Sequence, residues 1–299
     1  IRLSCTGASN TGAGYQALNG NTTGHDNTSL GFRALNANTT GTRNTALGSD
    51  TLKTCPTGES NVAAGLNALY NLTTADDNVA IGRDALTAST TGHSNVAVGY
   101  GALDSLTTTH SNVAVGKNAL TAVTTGQSNT GIGYQAGSAI TTGQDNLMLG
   151  LDAGTSGSPS GSVTTANRQI CLGDNNMTHA YIKIDWTVTS DERDKTDITD
   201  FTKGLDMVNA LRPVSYKWDM RSNYDDNTPD GSKKETKTNI GLIAQEVLTV
   251  EKTNGYGDDE DNMLITTVNG DGDYGLQYTK LIPVLVNAIK ELSTKVTAL

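Results

Sequence analysis

Nine asparagines recur at an unbroken spacing of seventeen residues: Asn10, Asn27, Asn44, Asn61, Asn78, Asn95, Asn112, Asn129 and Asn146. A glycine stands four positions after each, from Gly14 to Gly150. Self-similarity at one fixed period is the mark of a stacked repeat, in which each small unit buries its apolar surface against its neighbours. The first half of the chain is therefore expected to form a rod of coils rather than a globule. Between Asn and Gly each copy reads as a short strand, as in Asn95-Val96-Ala97-Val98-Gly99. Its first and third residues are mostly β-branched or leucine, and its middle residue is Ala, Ser or Gly in eight of nine copies.

Period-two alternation gives such a strand two faces. The bulky positions, Val98 among them, are expected to point into the coil. The small face is expected to meet sister chains about a three-fold axis, because small side chains let backbones approach. Each unit continues through an Ala-Leu pair, as in Ala102-Leu103, to a Thr-Thr-Gly turn, as in Thr124-Thr125-Gly126, which suggests two legs and two turns per coil. Nine parallel coils at about 4.8 Å give a shaft of roughly 40 Å. The aligned Asn side chains are expected to form an amide ladder along it.

The Asn-x-Ala-Val/Ile-Gly core, recurring across positions 10 to 150, resembles the head repeats of trimeric bacterial adhesins and of phage tail fibres. That resemblance implies parallel β-rolls in intertwined trimers. The period here is longer than the usual adhesin repeat.

The repeat breaks at Gly154, where Thr155 to Ser162 reads as a flexible polar insertion. Gln169-Ile170-Cys171-Leu172-Gly173 restores one strand six residues out of register, and Tyr181 to Trp186 alternates as a further strand. From Thr189 helical and mixed patterns take over. The expected divisions are a repeat shaft over 1–154, linking strands over 155–189 and a small α+β domain over 190–299.

Charge and composition exclude several classes. Residues 1–189 carry 8 basic and 11 acidic side chains and residues 190–299 carry 13 and 20, so both halves are acidic, at −3 and −7. No basic footprint for nucleic acid or an anionic membrane follows. The longest uncharged apolar run, Leu281 to Ile289, is too short to cross a bilayer. Cys5, Cys55 and Cys171 form neither a close pair nor a metal-ligand spacing, and reduced thiols fit assembly in a cytoplasm. The chain begins at Ile1 rather than Met, so further sequence upstream is expected. Asn269, Asp271 and Asp273 have the alternate spacing of a calcium loop, but Tyr274 stands where glycine is required and Lys280 where the glutamate belongs. A solvated turn is expected there, and an exposed loop at Asp258 to Asp261. Neither metal nor cofactor is expected.

Four blocks carry the second half: Ser190-Asp191-Glu192-Arg193-Asp194-Lys195, Leu211 to Trp218, Ile240 to Val247, and Tyr278 to Pro283. In this order they resemble the C-terminal intramolecular chaperone of phage tail spikes and fibres, the self-cleaving S74 peptidase family. The resemblance covers about residues 187 to 299. It implies a single-turnover serine endopeptidase without other substrates, which cuts its own chain between Thr189 and Ser190. Ser190 would be the nucleophile and Lys195 the general base. Asp194 occupies a position at which that family has leucine.

By residue type alone, Ser190 reads as an N-cap for a helix whose first turn holds Asp191 and Glu192, with Lys195 on a solvated face. Geometry constrains the dyad as well. Residues five apart lie about 140° apart around a helix and on opposite faces of a strand. Ser190 and Lys195 can therefore meet only in a turn or between subunits. At the C-terminus Ile282, Leu285, Ile289, Leu292, Val296 and Leu299 follow gaps of three and four, the seam of a coiled coil. The alternative is an amphipathic helix packed on its own domain.

The resemblances together imply a homotrimeric distal tail fibre of a virion, assembled in the host bacterial cytoplasm. Its partners would be a host cell-surface receptor, either a glycan or an outer-membrane component, and upstream fibre or baseplate proteins. Nucleic acid and membrane insertion are not expected. Two alternatives are a bacterial trimeric adhesin with an inactive assembly domain and an ice- or surface-binding β-solenoid. Adjacent Thr-Thr pairs fit the latter poorly, because neighbours on a strand point to opposite sides.

Overall fold

The computed structural model describes residues 6–183, 187–269 and 271–299. It divides into two compact units, Ile1–Met177 and Thr178–Leu299. The first is a parallel β-solenoid. Its strands β1 (Thr11–Ala13), β2 (Thr28–Leu30), β3 (Thr45–Leu47), β4 (Val62–Ala64), β5 (Val79–Ile81), β6 (Val96–Val98), β7 (Val113–Val115), β8 (Thr130–Ile132), β9 (Leu147–Leu149) and β10 (Ile170–Leu172) form one sheet in sequence order. Every pair is parallel, and Val96 faces Val113 as Thr11 faces Thr28, so the sequence period is the sheet register.

The asparagine ladder is present and buried. Asn112 N–H donates to Asn95 Oδ1 at 3.0 Å, and Asn95 N–H donates to Asn78 Oδ1 at 3.0 Å. The Asn95 amide also reaches the Thr109 carbonyl at 3.0 Å. Each side chain thus satisfies backbone groups on two coils, as a buried polar group must. Removing one leaves the donor and acceptor without partners, at a cost of about 1–3 kcal/mol for each buried group. Asn95→Ala is expected to destabilise the shaft by about 3 kcal/mol, read as a lower midpoint in denaturant unfolding.

The two faces of each strand are the reverse of the sequence expectation. The small middle residues Ala46, Ala63, Ala80, Ala97 and Ala114 are fully buried inside the coil. The bulky flanking residues turn outward, with Leu30 56%, Ile81 43% and Ile132 43% exposed. The reason is the second half of each unit. It forms no strand, but a run of turns whose leucines Leu35, Leu52, Leu69, Leu86, Leu103 and Leu120 are fully buried and fill the interior. Only alanine-sized residues fit opposite them.

These leucines hold φ between 49° and 52°, a region costly for a side chain with a Cβ. Hydrogen bonds between coils hold them there, as where Leu86 N–H donates to the Ala102 carbonyl at 3.0 Å. The repeated glycine answers a tighter constraint. Gly99 has φ +139°, and a Cβ there would fall 2.4 Å from the Gly116 carbonyl oxygen. In the Thr-Thr-Gly turns the first threonine donates its hydroxyl to the next coil, Thr22 to the Thr39 carbonyl at 2.9 Å and Thr90 to the Thr107 carbonyl at 3.2 Å.

The insertion after Gly154 loops out without breaking the stack. Ile170 pairs with Leu147, and Gln169 N–H takes the place of the next asparagine on Asn146 Oδ1 at 2.9 Å. Ser158 in that loop is buried, and its hydroxyl accepts from Gly154 N–H at 3.1 Å. The expected strand at Tyr181 to Trp186 is not formed at Tyr181–Lys183, and Ile184 to Trp186 lie outside the described residues.

The second unit contains helix α1 (Leu205–Ala210), strands β11 (Val214–Tyr216) and β12 (Asn239–Gly241), helix α2 (Ala244–Thr253), strands β13 (Thr266–Val268) and β14 (Tyr274–Leu276) and helix α3 (Leu281–Thr297). β11 pairs antiparallel with β12, and β13 with β14. Met207, Val247, Ile265 and Val284 form the core. Glu251 is fully buried, and its Oε1 accepts from the backbone of Leu264 at 3.1 Å, Ile265 and Thr266 at 3.3 Å, tying α2 to β13. At the tip of the β13–β14 hairpin, Asn269 Oδ1 accepts from the N–H groups of Asp271 at 3.0 Å and Asp273 at 2.8 Å, and Arg221 pairs with Asp273.

Helix α3 has two apolar faces. Val284 and Ala288 are buried, and Glu291 on the same side accepts from Leu205 N–H at 3.1 Å, capping the start of α1. Ile282, Ile289 and Val296, on the heptad seam, remain 60%, 67% and 62% exposed.

Candidate functional site

Ser190 and Lys195 are brought together by one tight turn. Residues Glu192–Asp194 form a single 3-10 turn between Asp191 and Lys195, both of which have extended backbone. Asp194 N–H donates to the Asp191 carbonyl at 3.3 Å and Lys195 N–H to the Glu192 carbonyl at 3.1 Å. The chain reverses there, and the lysine side chain folds back on the residue before the turn. Lys195 Nζ lies 2.7 Å from Ser190 Oγ and 3.1 Å from the Ser190 carbonyl oxygen. Of the two arrangements compatible with a five-residue separation, this is the turn within one chain. Ser190 does not cap the turn. That role falls to Asp191, whose Oδ1 accepts from Arg193 N–H at 2.9 Å.

Asp191 and Arg193 also grip each other through their side chains, with Nε to Oδ1 at 3.0 Å and Nη2 to Oδ2 at 2.7 Å. These bonds hold the Asp191 carboxyl below the usual carboxylate range and raise the Arg193 guanidinium. A depressed carboxyl supports the turn fully above its ordinary range, and the support is lost as pH falls through the depressed value. Asp191 and Arg193 both stand in the Ser-Asp-x-Arg-x-Lys block that carries the resemblance, but the sequence expectation did not include their contact. An N-cap residue directly after the serine, with arginine two positions on, is the signal that could have found it.

Chemically the pair can do one thing well. A neutral lysine amine at 2.7 Å from a hydroxyl can take its proton. Such a lysine works as a base when it is desolvated, as in a covered site. Ser190 and Lys195 are both exposed in the single chain, as are Thr189 and Asp194.

Among the described residues the thiols are buried. Cys55 and Cys171 are buried and free, burial pushes the Cys55 thiol up to about 11, and Cys5 lies outside the described residues. Among the described residues no group of three His, Cys, Asp or Glu side chains could hold a metal ion, and no helix is long and apolar enough to cross a membrane.

No curated protein and no solved structure matches the chain. Residues 190–256 match the family model Peptidase_S74, described as the chaperone of endosialidase. The match begins on Ser190, the first residue of the dyad, and supports autoproteolytic activity of this region in general. Residues 190–256 are thus similar to the chaperone of endosialidase, and with the stacked parallel coils of the first unit this fits a phage tail fibre or tailspike with a C-terminal intramolecular chaperone.

Proposed function

We propose that the protein is the distal part of a homotrimeric tail fibre, which adheres to a host cell surface and removes its own chaperone between Thr189 and Ser190. The observation that carries the cleavage is the 2.7 Å contact of Lys195 Nζ with Ser190 Oγ at the start of the matched domain. Lys195 takes the Ser190 hydroxyl proton, and Oγ adds to the Thr189 carbonyl carbon. The Thr189–Ser190 C–N bond then breaks, the Ser190 nitrogen gains a proton, and water hydrolyses the ester, freeing the Thr189 carboxylate. Both groups belong to one chain, so each subunit cuts itself once. Covering the exposed dyad on assembly supplies the desolvation that a lysine base needs, which orders cleavage after trimerisation.

Association is supported by two exposed apolar surfaces. The outward row of the solenoid, with Leu30, Leu47, Ile81, Val115 and Ile132, repeats on successive coils. From Leu30 to Ile132, with Ala64 and the half-buried Val98 between, the row crosses seven rungs, roughly 29 Å at about 4.8 Å per step, an apolar strip of the kind that marks an interaction surface. The seam of α3 is the second, and its opposite side is already occupied by the core. The trimer contact is thus assigned to the bulky face of the strands.

Replacing Ile289 and Leu292 together by aspartate is expected to weaken assembly without unfolding the second unit, because Val284 and Ala288 keep their contacts. Sedimentation equilibrium with circular dichroism reads both. The proposal as a whole is tested by a denaturing gel of freshly expressed protein, boiled and unboiled, which reports cleavage and oligomer together. An uncut chain running as a monomer in both lanes, and as a folded monomer in sedimentation, contradicts it.

A further inference from the structure

The turn that joins the dyad is held by a group outside it, and we infer that Asp191 is a positioning residue for self-cleavage, acting through Arg193 to hold Lys195 against Ser190. The inference rests on the proposed cleavage reaction and deepens it. Asp191 makes three contacts with one partner: Oδ1 accepts from Arg193 N–H at 2.9 Å and from Nε at 3.0 Å, and Oδ2 accepts from Nη2 at 2.7 Å. The first fixes the backbone at the start of the 3-10 turn, and the other two fix the side chain lying along its outer side. A turn of three residues has almost no cooperativity of its own. Of these six residues Asp191 alone is half-buried, the other five being exposed, so no packing holds the turn in place. A local side-chain clasp is then the means of keeping it closed.

The consequence for the reaction is geometric. Lys195 reaches Ser190 Oγ only because the chain reverses between them. With the clasp opened, residues 191–195 relax toward an extended chain, and in a strand the two side chains point to opposite faces. Asp191 touches neither the scissile bond nor the nucleophile, so its effect falls on how often the amine and hydroxyl meet. Misplacement by about 1 Å can cost on the order of 100-fold in rate.

The experiment compares first-order cleavage in the full chain for the parent, Asp191→Ala, Asp191→Asn and Glu192→Ala, with melting midpoint and oligomeric state measured on each. Asparagine keeps the cap acceptor and loses the charge to Arg193. Alanine loses both. The expected result is a rate lower by about 100-fold for alanine, substantial recovery for asparagine and no change for Glu192→Ala, with midpoints and assembly equal throughout. Parental rates in Asp191→Ala overturn the positioning role while leaving self-cleavage intact. Equal loss in alanine and asparagine, or loss that tracks the melting midpoint, also overturns it. A parent chain that never cuts removes both the role and the reaction.

Discussion

Replacing Ser190 by alanine is expected to leave the 299-residue chain uncut, and so is replacing Lys195 by alanine, with both variants still assembling. The first removes the proposed attacking oxygen, and the second removes the amine 2.7 Å away that is proposed to accept its proton. Loss of either member of such a unit removes nearly all of the rate, because the two act on one proton. Assembly is expected to persist, since neither side chain joins the core of the second unit and neither lies on the strand face or the α3 seam proposed to drive association. The single-turn geometry adds a sharper result. Chains carrying only Ser190→Ala, co-expressed with chains carrying only Lys195→Ala, are expected to show no restored cleavage if the pair acts as it lies here, within one chain. Partial cleavage in the mixture would mean that the lysine crosses between subunits. Mass spectrometry of the mixed product distinguishes the two.

A second large effect separates the faces of the shaft. Ala97→Asp is expected to destabilise the protein by about 4 kcal/mol, because it places an unpaired carboxylate at a fully buried position between two identical rungs. Val98→Asp, one residue on, is expected to cost only about 1 kcal/mol within a chain. Val98 turns outward and is half-buried, so its substitution acts on assembly and shifts the sedimentation profile. Thermal unfolding reads the contrast as a drop of roughly 10 °C for the first and a few degrees for the second. A Val98→Asp variant that melts lower than Ala97→Asp would place the bulky face inside the coil.

How far the fold can be read from the sequence depends on which interaction set each feature. The seventeen-residue period determines register, since in-register stacking repeats every contact, and the asparagine ladder follows because a buried amide in every copy needs partners one coil away. The direction of the strand faces was not legible from side-chain size. It is decided by Leu86, Leu103 and their equivalents, which enter the interior from turns at positive φ. Leucine in such a conformation is unexpected from local preference and is sustained by hydrogen bonds between coils.

In the second unit the seam of α3 was legible as a three-four pattern. Its opposite face was not, because Val284 and Ala288 read as members of one broad stripe until the core beneath them is seen. Ser190 and Lys195 stand as candidates because of the order of four sequence blocks. Their separation excludes helix and strand but leaves open a turn within one chain or a meeting between subunits. In the single chain they meet across the 3-10 turn that carries the Asp191–Arg193 contacts, whose sign in the sequence is short: a capping residue beside the serine and a guanidinium within reach.

Self-cleavage is tested most directly by the intact mass of freshly expressed wild-type protein, followed over time after assembly. Two products are predicted, one ending at Thr189 and one beginning at Ser190, appearing with first-order kinetics independent of protein concentration once the assembled form is present. A chain that stays whole, or a cut at any other bond, would contradict the assignment of Ser190 and Lys195.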